Sequence, residues 1–217
     1  MFGSFIGGSD NEQPHSVTVA SDSFNTSNDI LIFGTTNSVN FPVTNSSFDK
    51  THNGNSDLFV LRLNNAGNNL IASTYIGGSE DDGINGDAHK PFWMQSHQLP
   101  YNYADWFRGE VILDFSGNVY VSTCTKSTQN QGIPLINASQ ASFGGGIQDG
   151  YFLKLNGSLS TILFSTFVGG SGDESVHSVC INNLNEPIIA GGTTSNNMQF
   201  GTSSFPYSGG VDGFVGK

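Results

Sequence analysis

Apolar residues along the chain gather in short runs, and nearly every run is closed off by Gly, Asn or Ser. The run at 57–63 shows the pattern. Leu58 and Val60 alternate with Phe59 and Leu61, which is the two-residue period of a strand. Both alternating sets are apolar, as in a sheet covered on both faces. The same reading predicts strands at 15–20, 30–36, 57–63 and 69–76, then at 109–114, 118–124, 150–155 and 161–168. A last group lies at 176–182, 187–193 and 212–216, and Phe2 to Ile6 reads as a further strand at the start. Between them stand turn sequences such as Asn64-Asn65-Ala66-Gly67, Phe115-Ser116-Gly117-Asn118 and Asn182-Asn183-Leu184-Asn185. No long stretch carries a helical apolar period, so the pattern predicts an all-β chain.

The pattern is also periodic. Ser73-Thr74-Tyr75-Ile76-Gly77-Gly78-Ser79 recurs as Ser165-Thr166-Phe167-Val168-Gly169-Gly170-Ser171, and Ser4-Phe5-Ile6-Gly7-Gly8-Ser9 is a shorter copy. Asp57-Leu58-Phe59-Val60-Leu61-Arg62-Leu63-Asn64 recurs from Asp149 to Asn156 and again from Asp212 to Lys217. A third anchor, Ile32-Phe33-Gly34-Thr35-Thr36, aligns with Ala190-Gly191-Gly192-Thr193-Thr194 and with Thr123-Cys124-Thr125. This places Cys124 opposite Gly34 and Gly192. Three anchors in one order define units of roughly 7–76, 77–168 and an incomplete 169–217 within one segment, 1–217. The middle unit carries an insert near 86–109.

Four antiparallel strands in a unit of this size predict a β-propeller blade, and the chain would hold about three blades of a partial propeller. The Gly-Gly-Ser after each fourth strand suits a tight crossing with close backbone approach. A start on a fourth strand and a stop on a third are expected of a portion of a longer propeller. Such a portion, expressed alone, should be poorly soluble or should assemble with itself.

Composition narrows the function classes. Charged residues make up 12% of the chain, while 28 Gly and 17 Phe fit a packed, turn-rich protein rather than a disordered one. The net charge is −11, and the seven Lys and Arg are scattered, so a nucleic-acid partner is not expected. No apolar run is long enough to span a membrane, and residues 1–6 do not read as a secretory signal. Two cysteines, Cys124 and Cys180, make no disulfide framework; lying in different units, both are expected to be unpaired and buried.

The motifs just quoted, with Gly117-Asn118-Val119-Tyr120-Val121 and Asn40-Phe41-Pro42-Val43-Thr44, resemble the bacterial SBBP (seven-bladed β-propeller) repeat over most of the chain outside the insert. The Pro step is missing from the second and third units, where Gly132-Ile133-Pro134 and Gln199-Phe200-Gly201 stand loosely in its place. The resemblance implies a large secreted or cell-surface protein, often from Bacteroidetes, in which such repeats accompany type IX secretion domains. It also implies that the stretch from Tyr101 to Glu110 recurs in related repeats and supports the fold.

The insert is the richest candidate for ligand contact. Trp93, Tyr101, Tyr103 and Trp106 could stack on sugar rings, with Asp105 and Arg108 setting orientation. The alternative is that these aromatics fold the insert onto its own strands. Glu80, Asp81, Asp82, Asn85 and Asp87 supply hard oxygens of the kind calcium takes, but Gly83 and Ile84 break the EF-hand spacing. Asp10, Asn11 and Glu12, and Asp173 and Glu174, hold the same place in the other units, so a solvated crossover loop is the simpler reading, and no metal or cofactor is expected. His15 and His177 each precede Ser-Val and are too few for a metal site. Asp57, Asp149 and Asp212 precede strands once per unit and read as turn bonds. No Gly-x-Ser-x-Gly elbow is completed and no catalytic residue is assigned, although a spatial pair of carboxylates stays open. The expectation is a non-catalytic structural or interaction module, meeting further blades of its own polypeptide and binding glycan or protein through its loops. The alternative is part of a polysaccharide-acting hydrolase or lyase.

Overall fold

The computed structural model describes residues 3–20, 28–86, 107–198 and 205–217. They form eleven strands and, among the described residues, no helix. Sheet 1 holds β1 (Glu12–Ala20), β2 (Asp29–Thr36), β3 (Asp57–Leu63) and β4 (Leu70–Ile76). Sheet 2 holds β5 (Glu110–Leu113), β6 (Val119–Thr125), β7 (Asp149–Leu155) and β8 (Ile162–Val168). Sheet 3 holds β9 (Glu174–Ile181), β10 (Pro187–Thr193) and β11 (Asp212–Gly216). In each sheet the strands pair antiparallel in chain order. The expected strand at Phe2 to Ile6 does not form over its described part, residues 3–6. Phe5 stands wholly exposed there, whereas its repeat equivalents Tyr75 and Phe167 are buried. An isolated strand leaves its backbone groups unpaired, so the same sequence forms a strand only where an edge receives it.

Sheet 2 lies between the other two. Leu31, Phe33, Leu58 and Val60 of sheet 1 share one core with Val111, Val121, Tyr151 and Leu153 of sheet 2. On the opposite face of sheet 2, Tyr120 and Phe152 pack with Val176, Val179, Ile189 and Phe214 of sheet 3. The alternation along β6 and β7 thus sends successive side chains into two different cores, which is why both sets are apolar. Each large side chain so buried contributes about 1.5–3 kcal/mol. The outer face of sheet 1 is closed by its own loop, where Phe41 stacks on Phe59 at 4.6 Å between ring centroids.

The hairpin turns follow from Asn. Asn64 Oδ1 accepts the backbone N–H groups of Asn68 and Asn69, and Gly67 takes a φ of 68°. In the second unit Asn156 does the same for Ser160 and Thr161. There Leu159 occupies the place of Gly67 with a φ of 56°, and full burial of its side chain offsets the backbone strain.

Register corrects the third anchor by one step. Thr36, Thr125 and Thr193 face Asp57, Asp149 and Asp212 across their ladders, so these threonines are equivalent. Cys124 therefore matches Gly192 as expected, but Thr35 rather than Gly34. The Gly-Thr-Thr and Gly-Gly-Thr-Thr sequences align either way on letters alone; the threonine that binds the buried carboxylate decides between them.

Candidate functional site

Three threonines and three carboxylates form a link repeated in every unit. Thr36 donates to Glu12 at 2.9 Å, Thr125 donates to Asp82, and Thr193 donates to Glu174 at 2.6 Å. Each threonine oxygen also accepts the backbone N–H two residues on, from Ser38, Ser127 and Ser195. Those serine hydroxyls accept Asp10 N, Glu80 N and Gly172 N from the crossing chain. Gly78 N and Gly170 N donate to Asp82 and Glu174 at 2.6 and 2.8 Å. The glycines are needed for this closeness. A Cβ on Gly77 would lie 2.5 Å from Asp57 Oδ1, and one on Gly78 would lie 2.6 Å from Ser127 Cβ.

The acidic turn after sheet 1 is accordingly no solvated loop, which corrects the simpler reading of the sequence. Asp82 is fully buried and accepts Thr125, Ser127 and Gly78. Asp81 pairs with Lys126 at 2.8 Å, and Glu80 accepts Gln131 at 2.7 Å. Asn85 accepts Gln148, whose own amide oxygen accepts Gly86 N. Asp87 lies outside the described residues. Among the described residues, no three His, Cys, Asp or Glu side chains are placed to hold a metal ion.

Asp57, Asp149 and Asp212 do make the expected turn bonds, accepting Asn53 N, Gly144 N and Ser208 N. Asp57 Oδ1 and Asp149 Oδ1 are buried without a partner. Burial pushes the carboxyls of Asp57, Asp82 and Asp149 up to about 7.

Of the insert residues put forward for ligand contact, Trp93, Tyr101, Tyr103, Asp105 and Trp106 lie outside the described residues. Arg108 is exposed at the start of sheet 2, and the structure joins it to residues far off in sequence. β1 packs against β5, and β5 against β9. Where these three first strands meet, a pocket of about 310 Å³ is lined by His15, Ser16, Arg108, Glu110, His177 and Ser178, with Phe107 beside them. The two histidines, 162 positions apart, thus face one space. Each is the extra residue of a β-bulge. Pro14 pairs with Gly34 and Ser16 with Phe33, which leaves His15 unpaired in the ladder. Val176 pairs with Gly191 and Ser178 with Ala190, which leaves His177. Gly109, just before the first residue of β5 that pairs with β6, stands at the corresponding place in sheet 2.

Burial lowers the His15 imidazole to about 4. Burial and then the Arg108 charge do the same to His177. Both rings are uncharged at neutral pH. Glu110 binds across to sheet 3, accepting Ser178 Oγ at 2.7 Å and Val179 N at 2.8 Å. Ser16 makes the matching link from sheet 1, accepting Val111 N at 3.3 Å.

The cysteines divide. Cys124 is buried, and burial raises its thiol to about 12. Cys180 is exposed, against expectation. Ladder register places it opposite Ile188, on the face of sheet 3 turned away from sheet 2. Its equivalent Ile112 packs against the core between sheets 2 and 3. Sequence reasoning missed the threonine links, Gln148 and the pocket. The Thr-x-Ser triplet in each unit was the one available signal. No protein-family model matches the chain, and no curated protein matches it.

Proposed function

We propose that this chain is a run of propeller blades of the SBBP kind, serving as a non-catalytic structural and interaction module of a secreted or cell-surface protein. One observation carries the reading. Val17 is 66% exposed, whereas its equivalents in the next two sheets, Val111 and Val179, are 1% and 4% exposed. At the other end Val215 is 70% exposed, against 0% for Val60 and 5% for Phe152. Val17 in sheet 1 and Val215 in sheet 3 therefore stand exposed at positions that are buried wherever two sheets meet, although the loop carrying Phe41 covers Phe59 and Leu61 on the same outward face of sheet 1. In a repeat array such faces are covered by neighbours. Further blades of the same polypeptide are the partners proposed for them, with glycan or protein bound through the loops.

Static light scattering on the 217-residue chain tests this. The expected result is concentration-dependent self-association that Val17→Asp and Val215→Asp reduce while the β-sheet circular dichroism is kept. A monomer over the whole concentration range would overturn it.

A further inference from the structure

We propose that segment 3–6 is a strand donated to a second copy of this chain. It pairs with the open edge of β11 in that copy, and Phe5 fills the pocket beside that edge. The exchange is reciprocal, so two copies close into one ring. This rests on the propeller reading above and names the joint by which a second copy stands in for a neighbouring blade.

Both halves of the joint are present in each copy. β11 stands at the edge of the three-stranded sheet 3, with a partner on one side only among the described residues. Such an edge presents free backbone N–H and C=O groups. Beside it a pocket of about 240 Å³ is walled by Phe152, Phe164 and Val168 of sheet 2 and by Ile189, Met198 and Gly216. Segment 3–6 is the other half. It leads into Gly7-Gly8-Ser9 as β4 and β8 lead into their own crossings. That crossing is already made: Ser9 N donates to Asn40 Oδ1 at 2.8 Å, as Ser171 N donates to Asn197 Oδ1 at 2.9 Å. Ile6 packs against the Phe41, Phe59 and Tyr75 cluster on the outward face of sheet 1. Its equivalents Ile76 and Val168 likewise pack toward the sheet that follows them. Segment 3–6 therefore lies where the fourth strand of a preceding sheet belongs, while Phe5 stands wholly exposed.

The register follows from the two complete sheets. Phe59 pairs with Tyr75 and Val60 with Thr74; Tyr151 pairs with Phe167 and Phe152 with Thr166. By the same register Phe214 meets Phe5, and Val215 meets Ser4. Phe214 packs on the side of sheet 3 that faces sheet 2, so Phe5 opposite it enters the pocket. Main-chain bonds along an open edge supply affinity, and a pocket for an alternate side chain supplies selectivity. The β11 of the same copy is out of reach. Ser4 Oγ donates to Gly67 O in the β3–β4 turn at 2.7 Å, and sheet 2 stands between sheets 1 and 3. Two copies of three sheets bring six, within the roughly four to eight blades that close around a channel.

The test is oxidative cross-linking of the 217-residue chain carrying Ser4→Cys and Val215→Cys, with Cys180→Ser removing the exposed native thiol. Sedimentation of the unaltered chain runs beside it. A sedimenting dimer is expected, with a disulfide-linked dimer and no larger covalent species. Gly3→Cys with Val215→Cys, one step out of register, should cross-link about fivefold more slowly. Phe5→Asp should weaken the dimer about tenfold, as for an aromatic anchor taken from its pocket, with circular dichroism unchanged because Phe5 is exposed in the single chain. Equal cross-linking from positions 3 and 4, covalent species longer than two chains, or undiminished association of the Phe5→Asp chain would overturn the proposal. If Val17→Asp weakens association and Phe5→Asp does not, the strand exchange fails while the reading of the module stands. A monomer at every concentration sinks both.

Discussion

The Thr193 hydroxyl donates a hydrogen bond of 2.6 Å to Glu174, at the point where β10 ends and β9 begins. The same link closes sheets 1 and 2 through Thr36 and Thr125. In sheets 1 and 3 it joins the end of the second strand to the start of the first, in sheet 2 it joins Thr125 at the end of β6 to Asp82 in the crossing chain ahead of β5, and the Gly-Gly crossing docks on the same carboxylate in sheets 2 and 3.

Removing that hydroxyl should therefore be costly. Thr125→Val keeps the shape of the side chain but leaves a fully buried Asp82 short of a donor. A loss of about 1–3 kcal/mol is expected from an unsatisfied buried group. Thr51→Val, at an exposed turn, should change stability by less than about 0.5 kcal/mol. Urea unfolding of the two variants checks the contrast.

The glycines before each crossing give a second expectation. Gly169→Ala would set a Cβ within 2.6–2.8 Å of the Asp149 carboxyl, which is already held by Gly144 N. Overpacking of this kind costs about 1–3 kcal/mol. Gly132→Ala meets no neighbour within 4 Å, but its φ of 87° makes it strained for a different reason. Asp149→Ser should recover part of the loss in Gly169→Ala and none in Gly132→Ala, as measured by thermal melts of the double variants.

Stability should rise as pH falls from 8 to 5.5. Asp57, Asp82 and Asp149 have folded values near 7, above the ordinary 3.8. A raised carboxyl binds its proton more tightly when folded, so its contribution is full below about 4 and fades as pH climbs through 7. His15 and His177 work the other way. Their folded values near 4 lie below 6.5, so they cost stability as pH falls from 6.5 toward 4. Three carboxyls outweigh two imidazoles over this window. Denaturation midpoints at pH 8, 6.5 and 5.5 should increase in that order, and Asp57→Asn should flatten the slope.

Thiol chemistry should separate the cysteines. Native protein is expected to react with a disulfide reagent at Cys180 alone, and Cys124 should react only after unfolding. Two fast thiols in the native state would contradict the burial of Cys124.

Much of this was legible in the sequence. All eleven strands fall where the pattern places them; β3, β10 and β11 match to the residue, and the other eight differ only at their ends, β1 beginning at Glu12 rather than at residue 15. Two-sided burial made β3 and β7 plain, because Leu58 to Leu61 and Tyr151 to Leu153 put apolar side chains on both faces. What stayed hidden depends on distances the sequence does not carry. A bulge at His15 leaves no mark on the apolar period, and His177 is its neighbour only once β1, β5 and β9 have met. Cys180 has the apolar surroundings of a buried residue, yet its exposure is set by what lies beyond sheet 3. The insert aromatics Trp93, Tyr101, Tyr103 and Trp106 gave a strong compositional signal, while the pocket beside Arg108 is built mostly from residues with none.

The position of sheet 2 between two cores has a kinetic meaning. Its strands lose their neighbours only after one side has come away, whereas sheets 1 and 3 can each peel off by giving up a single core. Opening should proceed inward from the two outer sheets, so amide protons of β6 and β7 should be the last to exchange with solvent. The three sheets would then behave less like one cooperative block than like a short stack that frays from its ends, with the threonine links holding each layer intact as it leaves.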